Sequence, residues 1–225
     1  MRVLIVDLNN FAMYPTVAVG YLVSILRQAG VEVEVFSPLA SGVTGVVREP
    51  PVKPWGLLDQ RLRYWSAVSS NPVVKSVRAK LAHLHGPKLA RHTDQVFRDF
   101  ERNLNAGSKF DAVLISTYLL YHDLCGQMCR ACKQAGVPAI IGGAYFAEPK
   151  VAQHWIGMEG LTALATGEVE PQLTRIVREA ASGTLQSSPG VLVPESAASL
   201  PAPPLHDLDS IPFADYSDFP WDRYP

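Results

Sequence analysis

"CGQMCRACKQAGVPAIIGG", residues 125–143, admits two readings that lead to different folds. In one, the C-x3-C-x2-C spacing of Cys125, Cys129 and Cys132 belongs to an irregular loop that gathers three thiolates on a metal cluster. In the other, the stretch is a helix running into a buried strand. Positions i, i+4 and i+7 share one helical face. Leu124 and Met128 extend the same apolar stripe, and Gly136 with Pro138 stops the helix before "PAIIGG". A regular helix holds three sulfurs in a row, and small buried thiols pack as apolar groups. The spacing therefore predicts a core face and no metal ligand. Neighbouring cysteines on one helix face are also too constrained to form a disulfide framework.

A helix followed by a buried strand is half of a repeating unit, and the rest of the chain supplies the repeats. "RVLIVD" (2–7) is a continuous β-branched run, as expected of a strand covered on both faces. Val19, Leu22, Val23, Leu26 and Ala29 form a helical stripe within 15–29, closed by Gly30, and "VEVEVFS" (31–37) is a second strand. "FDAVLIST" (110–117), "PAIIGG" (138–143) and "LTALATG" (161–167) repeat the strand signature, with helical patterns over 121–135, 147–156 and 170–182. The pattern predicts an α/β, flavodoxin-like, doubly wound sheet of five parallel strands, with ligands beyond the carboxyl ends of the strands.

Two segments break the rhythm. A strand-to-strand crossover needs a dozen or so residues, so residues 38–109 read as an insertion, helical around 57–68, 72–84 and 88–105. Lys and Arg outnumber acids there, which is read as a solvated helical cap, with a lid or a docking surface for an acidic partner as the sharper alternative. Residues 184–225 are dense in proline, small residues, acids and aromatics and show no helical period beyond a possible strand at 190–193. They are expected to be an extended linker or strap attached to a domain spanning 1–183.

The formal charge is -1, with 20 Lys and Arg against 21 Asp and Glu, so no global field draws nucleic acid or an anionic membrane. The near-apolar run "VAVGYLVSIL" (17–26) is half a membrane span, and no basic region precedes a long apolar segment. The expectation is a cytoplasmic protein with a small-molecule partner. The loop after the first strand, "DLNNFAMYPT", lacks the glycines of a dinucleotide site, and no P-loop occurs. The strand ends instead carry amides, hydroxyls and small residues: Asn9, Asn10, Ser116, Thr117, Gly142, Gly143, Ala144, Thr166, Gly167 and Glu168. Glycines let a bulky ligand meet backbone, and hydroxyls offer hydrogen bonds. Tight turns and helix capping account for the same residues without a ligand. Tyr118 and Tyr145 add aromatic rims.

The strand "VLIST", the "GG" of 142–143, the "TGEVEPQL" of 166–173, the opening "YPTVAVGYLVSILRQAGVEVEVFSP" and the late "LHDLDSIPFADYSDF" together resemble the cobalamin-binding N-terminal domain of B12-dependent radical SAM enzymes. The resemblance implies that Asn9, Asn10, Ser116, Thr117, Tyr118, Gly142, Gly143, Ala144, Tyr145, Thr166, Gly167 and Glu168 bind cobalamin, as methylcobalamin or hydroxocobalamin. It implies a radical SAM domain, in cis or in trans, that carries the [4Fe-4S] cluster and S-adenosylmethionine and performs methyl transfer or related radical chemistry. This chain would then bind and position a cofactor without catalysing alone. Other cobalamin proteins place a histidine ligand in a D-x-H-x-x-G loop after the first strand; here Asp7 is followed by Leu8 and Asn9, so the resemblance implies binding without that ligand. The family's cluster motif has an aromatic residue before its last cysteine, where this chain has Ala131.

Two other readings fit parts of the pattern. The N-terminal half of a GT-B-like glycosyltransferase also opens with a strand, an apolar helix and "GVEVEVFSP". A response-regulator-like domain would use Asp7, but lacks the adjacent acid and the strand-five lysine.

Overall fold

The structure is a computed structural model and describes residues 1–8, 15–43, 61, 64–65, 68, 71–74, 76–77, 80, 87–107, 109–196 and 200–224. Its strands are β1 (Arg2–Asp7), β2 (Glu32–Phe36), β3 (Ala112–Ser116), β4 (Ala139–Gly142), β5 (Leu161–Ala165) and β6 (Val191–Leu192). They form one sheet in the order β2-β1-β3-β4-β5-β6. The first five are parallel, in the flavodoxin-like order expected from the sequence. β6 is an addition: it runs antiparallel to β5 through Leu164↔Leu192 and Ala165↔Val191. It falls within the possible strand read at 190–193.

The helices are α1 (Val17–Gln28), α2 (Pro87–Asn105), α3 (His122–Ala135), α4 (Pro149–Ile156) and α5 (Leu173–Ser182). Side chains alternate across the sheet. Leu4, Val6, Val113, Ile115 and Ile141 pack against Phe100 of α2, Met128 of α3 and Trp155 of α4. Val3, Ile5, Leu114 and Ile140 pack against Val19, Val23 and Leu26 of α1 and Ile176 and Val177 of α5. Apolar layers on both sides explain why these strands read as unbroken hydrophobic runs. Of the insertion, α2 joins the first layer through Val96, Phe100 and Leu104; most of the segments expected to be helical at 57–68 and 72–84 lies outside the described residues.

Cys125, Cys129 and Cys132 lie fully buried in that layer as free thiols. Desolvation pushes Cys125 and Cys132 up to about 12 and raises Cys129 as well, so all three keep their protons. Among the described residues, no group of three or more His, Cys, Asp or Glu is arranged to hold a metal ion. None of the described helices is long and apolar enough to cross a membrane.

The chain after α5 is pinned to the second layer. Ala202 pairs in parallel with Gly167, and Phe219 is buried with α1 and α5. The Asp215 amide donates to the Gly20 carbonyl at 2.9 Å.

Candidate functional site

Strand register assembles the site. Ser116, Gly142 and Ala165 are cross-strand partners at the carboxyl ends of β3, β4 and β5, and each lines a cavity of about 590 Å³. Two residues earlier, Leu114 and Ile140 form its apolar floor on the α1/α5 side of the sheet. Ala18 and Leu22 of α1 and Leu173 and Ile176 of α5 supply the walls. Ala144, Ala147, Gly167, Glu168, Val169 and Glu170 surround the strand-end side. The volume lies within the roughly 300–1,000 Å³ of small-molecule sites, and the apolar lining with a few polar groups is typical of them.

The two glycines at the end of β4 do different work. Gly143 has φ of +154°, and a Cβ there would sit 2.5 Å from the Thr117 carbonyl oxygen, so the turn itself demands glycine. At Gly142 a Cβ would meet only the Ala165 Cβ, at 3.4 Å, an ordinary contact. Protein packing does not require glycine at 142; its missing side chain widens the cavity instead.

The C-terminal segment is a wall of the same cavity, through Pro201, Ala202 and Pro204. The Ala202 amide donates to the Thr166 carbonyl at 2.8 Å, and the Gly190 amide donates to the Leu200 carbonyl at 2.8 Å. The Glu168 carboxylate accepts the Leu205 amide. Close approach depends on Gly167, at φ +79°, where a Cβ would lie 2.4 Å from the Ala202 carbonyl oxygen.

Glu170 also lines the cavity, and burial is the largest influence raising its carboxyl above the ordinary range, with the nearby Glu168 charge acting in the same direction. Its Oε2 is buried with no hydrogen-bond partner among the described residues.

Of the residues singled out in the sequence, Ser116, Gly142, Gly143, Ala144, Gly167 and Glu168 meet at this cavity. Thr117 turns to the other face of the sheet, where its hydroxyl accepts the Cys125 thiol at 3.5 Å and donates to the Tyr118 carbonyl at 3.2 Å. Thr166 is buried beside the cavity and engages the C-terminal segment through its backbone. Tyr118 and Tyr145 are exposed and form an edge-to-face pair with ring centroids 6.0 Å apart. Asn9 and Asn10 lie outside the described residues. His122, which follows the end of β3, packs edge-on against Trp155, at 4.8 Å, in the opposite layer.

Sequence reasoning did not identify the α1 and α5 walls or Pro201, Ala202 and Pro204. The helical stripes carried the former signal, since Leu22 and Ile176 lie on the faces turned toward the sheet. The prolines and alanines of the tail have no period to read.

No family model and no curated protein matches the chain. Similar solved structures include the radical S-adenosylmethionine methyltransferase TsrM from Kitasatospora setae with cobalamin and a [4Fe-4S] cluster bound. It has a TM-score of 0.48 and 12% identity, over 96% of this chain and 32% of that one. TsrM with tryptophan substrate and the SAM analogue aza-SAM bound has a TM-score of 0.44 and 14% identity, over 84% of this chain and 28% of that one. The chain thus spans about a third of the length of the structures it matches.

Proposed function

We propose that this chain is a cobalamin-binding module that serves a radical S-adenosylmethionine enzyme of the methyltransferase type. One observation carries the reading: an apolar cavity opens at the carboxyl ends of β3, β4 and β5, and Gly142 leaves it wide where packing would accept a methyl group. Such a slot suits a flat heteroaromatic group entering from the strand ends, and cobalamin carries one on its nucleotide tail. Ser116 and the Gly142-Gly143 turn would hold that tail. Asn9, Asn10, Ala144, Thr166, Gly167 and Glu168 complete the proposed binding edge.

The donor set fits the group in three respects. The cavity is apolar at its floor, it is polar where the strands end, and it holds part of the cofactor without having to enclose the macrocycle. Tyr118 and Tyr145, exposed as a pair, offer ring surface to the part left outside. Bound cobalamin would supply a cobalt centre that carries a methyl group. The chain's own residues bind the tail, keep water from the apolar floor and orient the cofactor, and the [4Fe-4S] cluster and S-adenosylmethionine would belong to a partner domain in cis or in trans.

Gel filtration after incubation with hydroxocobalamin tests the reading. The cofactor's visible absorbance should elute with the protein and should be lost in Gly142→Leu, whose thermal transition stays near that of the parent. Free elution of all the colour from the parent chain would refute it. Thermal shift against UDP-sugars is expected to show no stabilisation.

A further inference from the structure

Gly20 is a residue that α1 has no local reason to hold. It stands buried in the interior of the helix Val17–Gln28, where only proline is less favourable than glycine. The reason lies on the neighbouring segment. A Cβ on Gly20 would sit 2.6 Å from Cε1 of Tyr216 and 3.0 Å from the Ala214 Cβ, and the Gly20 carbonyl accepts the Asp215 amide at 2.9 Å. The Tyr216 ring is not free to step aside, because it packs edge-on with Phe219 at 5.3 Å and with Trp221 at 6.2 Å between centroids. α1 thus carries a seat shaped for the C-terminal segment, at the expense of its own helix propensity.

The segment reaches that seat from the far side of the cavity. Its first anchor is at the end of β5, where Ala202 pairs with Gly167 and the Leu205 amide meets the Glu168 carboxylate. Its second anchor is on α1, at Gly20 and, two turns on, at Arg27, which holds Asp215 at 2.7 Å. Ala18 and Leu22, which flank Gly20, line the same cavity as Gly167 and Glu168. The chain between the anchors therefore spans the cavity from one wall to the other. Little holds that span down: Leu208 and Phe213 within it are exposed, and its regular structure is the single turn Leu208–Ser210.

We propose that residues 202–219 are a strap that gates this cavity, hinged at the pairing of Ala202 with Gly167 and latched on α1, with Gly20 as the seat of the latch. The inference goes beyond the cobalamin reading, because it concerns access to the cavity and holds for any ligand that fits there. Segments with few buried contacts open at a fraction of the free energy of global unfolding. The latch can then release while the sheet stays folded.

Access is measured without a ligand. Ser116 is buried and lines the cavity, and Ser116→Cys puts a thiol of similar size there. Cys125, Cys129 and Cys132 lie in the opposite layer and report global unfolding. Iodoacetamide labelling of the full chain, read residue by residue by mass spectrometry, follows all four. The introduced thiol should label slowly, and adding Gly20→Ala should speed it at least about ten-fold, the lower range of what an overpacked contact costs. The three native thiols should stay silent in both. Gly157→Ala, at an exposed glycine where a Cβ would meet nothing within 4 Å, should leave the rate within about two-fold. Tyr216→Ala should also speed labelling, and combining it with Gly20→Ala should add little, because the ring that the new methyl meets is gone. Equal rates with and without Gly20→Ala, effects of the two substitutions that simply multiply, or native thiols that label in step with the introduced one would overturn the strap. No ligand is added, so none of these results bears on the cobalamin reading.

Discussion

Arg27, near the end of α1, and Asp215, in the C-terminal segment, meet at 2.7 Å across 188 residues of sequence. The other arm of the same guanidinium holds Asp218 at 2.6 Å, and Ser217 accepts a third bond at 2.7 Å. One side chain therefore fastens three tail residues, Asp215, Ser217 and Asp218, to the helix that walls the cavity. A planar fork serves such a multiple contact better than an ammonium would.

This contact sets an acid-sensitive window. The Ser217 amide, first, and then Arg27 hold the Asp215 carboxyl at about 2, below its ordinary 3.8. A depressed native value means that the charged form favours the folded state, so the contribution is complete above the ordinary value and fades as pH falls toward 2. The protection of the amides at residues 215–219 from exchange, taken relative to an unstructured chain at the same pH, should fall through that interval. Arg27→Gln should loosen the segment at neutral pH and weaken its acid dependence without removing it, because the Ser217 amide still holds Asp215 down, with a modest effect on global stability because the pair is partly exposed. Unchanged exchange in the variant would separate the tail from its clasp.

The two glycines of β4 should respond oppositely to a methyl group. Gly143→Ala drives a Cβ to 2.5 Å from the Thr117 carbonyl and should lower the thermal midpoint by several degrees. Gly142→Ala meets an ordinary 3.4 Å contact and should unfold like the parent. Differential scanning calorimetry of the two purified variants distinguishes them, and equal losses would mean that the turn is not what fixes glycine at 143.

The thiols should be silent until the protein opens. With Cys125 and Cys132 pushed up to about 12 and Cys129 raised too, a disulfide reagent at pH 8, a value taken as roughly the ordinary thiol range, should label none of them in the folded chain and all of them in denaturant. Fast labelling of the native protein would contradict the packing of α3. Cys129→Ser, which buries a hydroxyl without an assured partner, should cost about 1–3 kcal/mol, more than Cys129→Ala's loss of a small apolar group.

Replacing Tyr118 or Tyr145 with Ala removes an exposed ring from the pair at the end of β3 and β4. If the cobalamin reading holds, each variant should release hydroxocobalamin faster while its unfolding midpoint stays within about 2 °C of the parent, as expected for an exposed site. A large change in midpoint with unchanged release would assign the pair to the fold instead.

The sheet was legible because it is covered on both sides: "RVLIVD" and "LTALA" leave few polar residues inside the strands, and period alone places them. The cavity was legible only by parity. Ser116 and Gly142 share a rung with Ala165, so all face the α1/α5 layer, whereas Thr117, one residue on, faces α3. Which face would hold the opening depends on where α1 and the tail come to rest, and no local pattern records that. Pro201, Ala202 and Pro204 reach the site through backbone pairing with Thr166 and Gly167, which is nearly blind to side-chain identity. Glu170 stands just before a helical pattern, where an acidic residue simply favours a helix N-terminus, and only the buried, unmatched oxygen sets it apart.

The antiparallel pairing of Val191 and Leu192 with β5 has a further consequence for handling the protein. Without it the last parallel strand would present bare amides and carbonyls to other chains, a template for edge-to-edge aggregation. A recombinant fragment stopped after α5 would expose that margin, so its tendency to precipitate would measure how well these few residues protect the sheet.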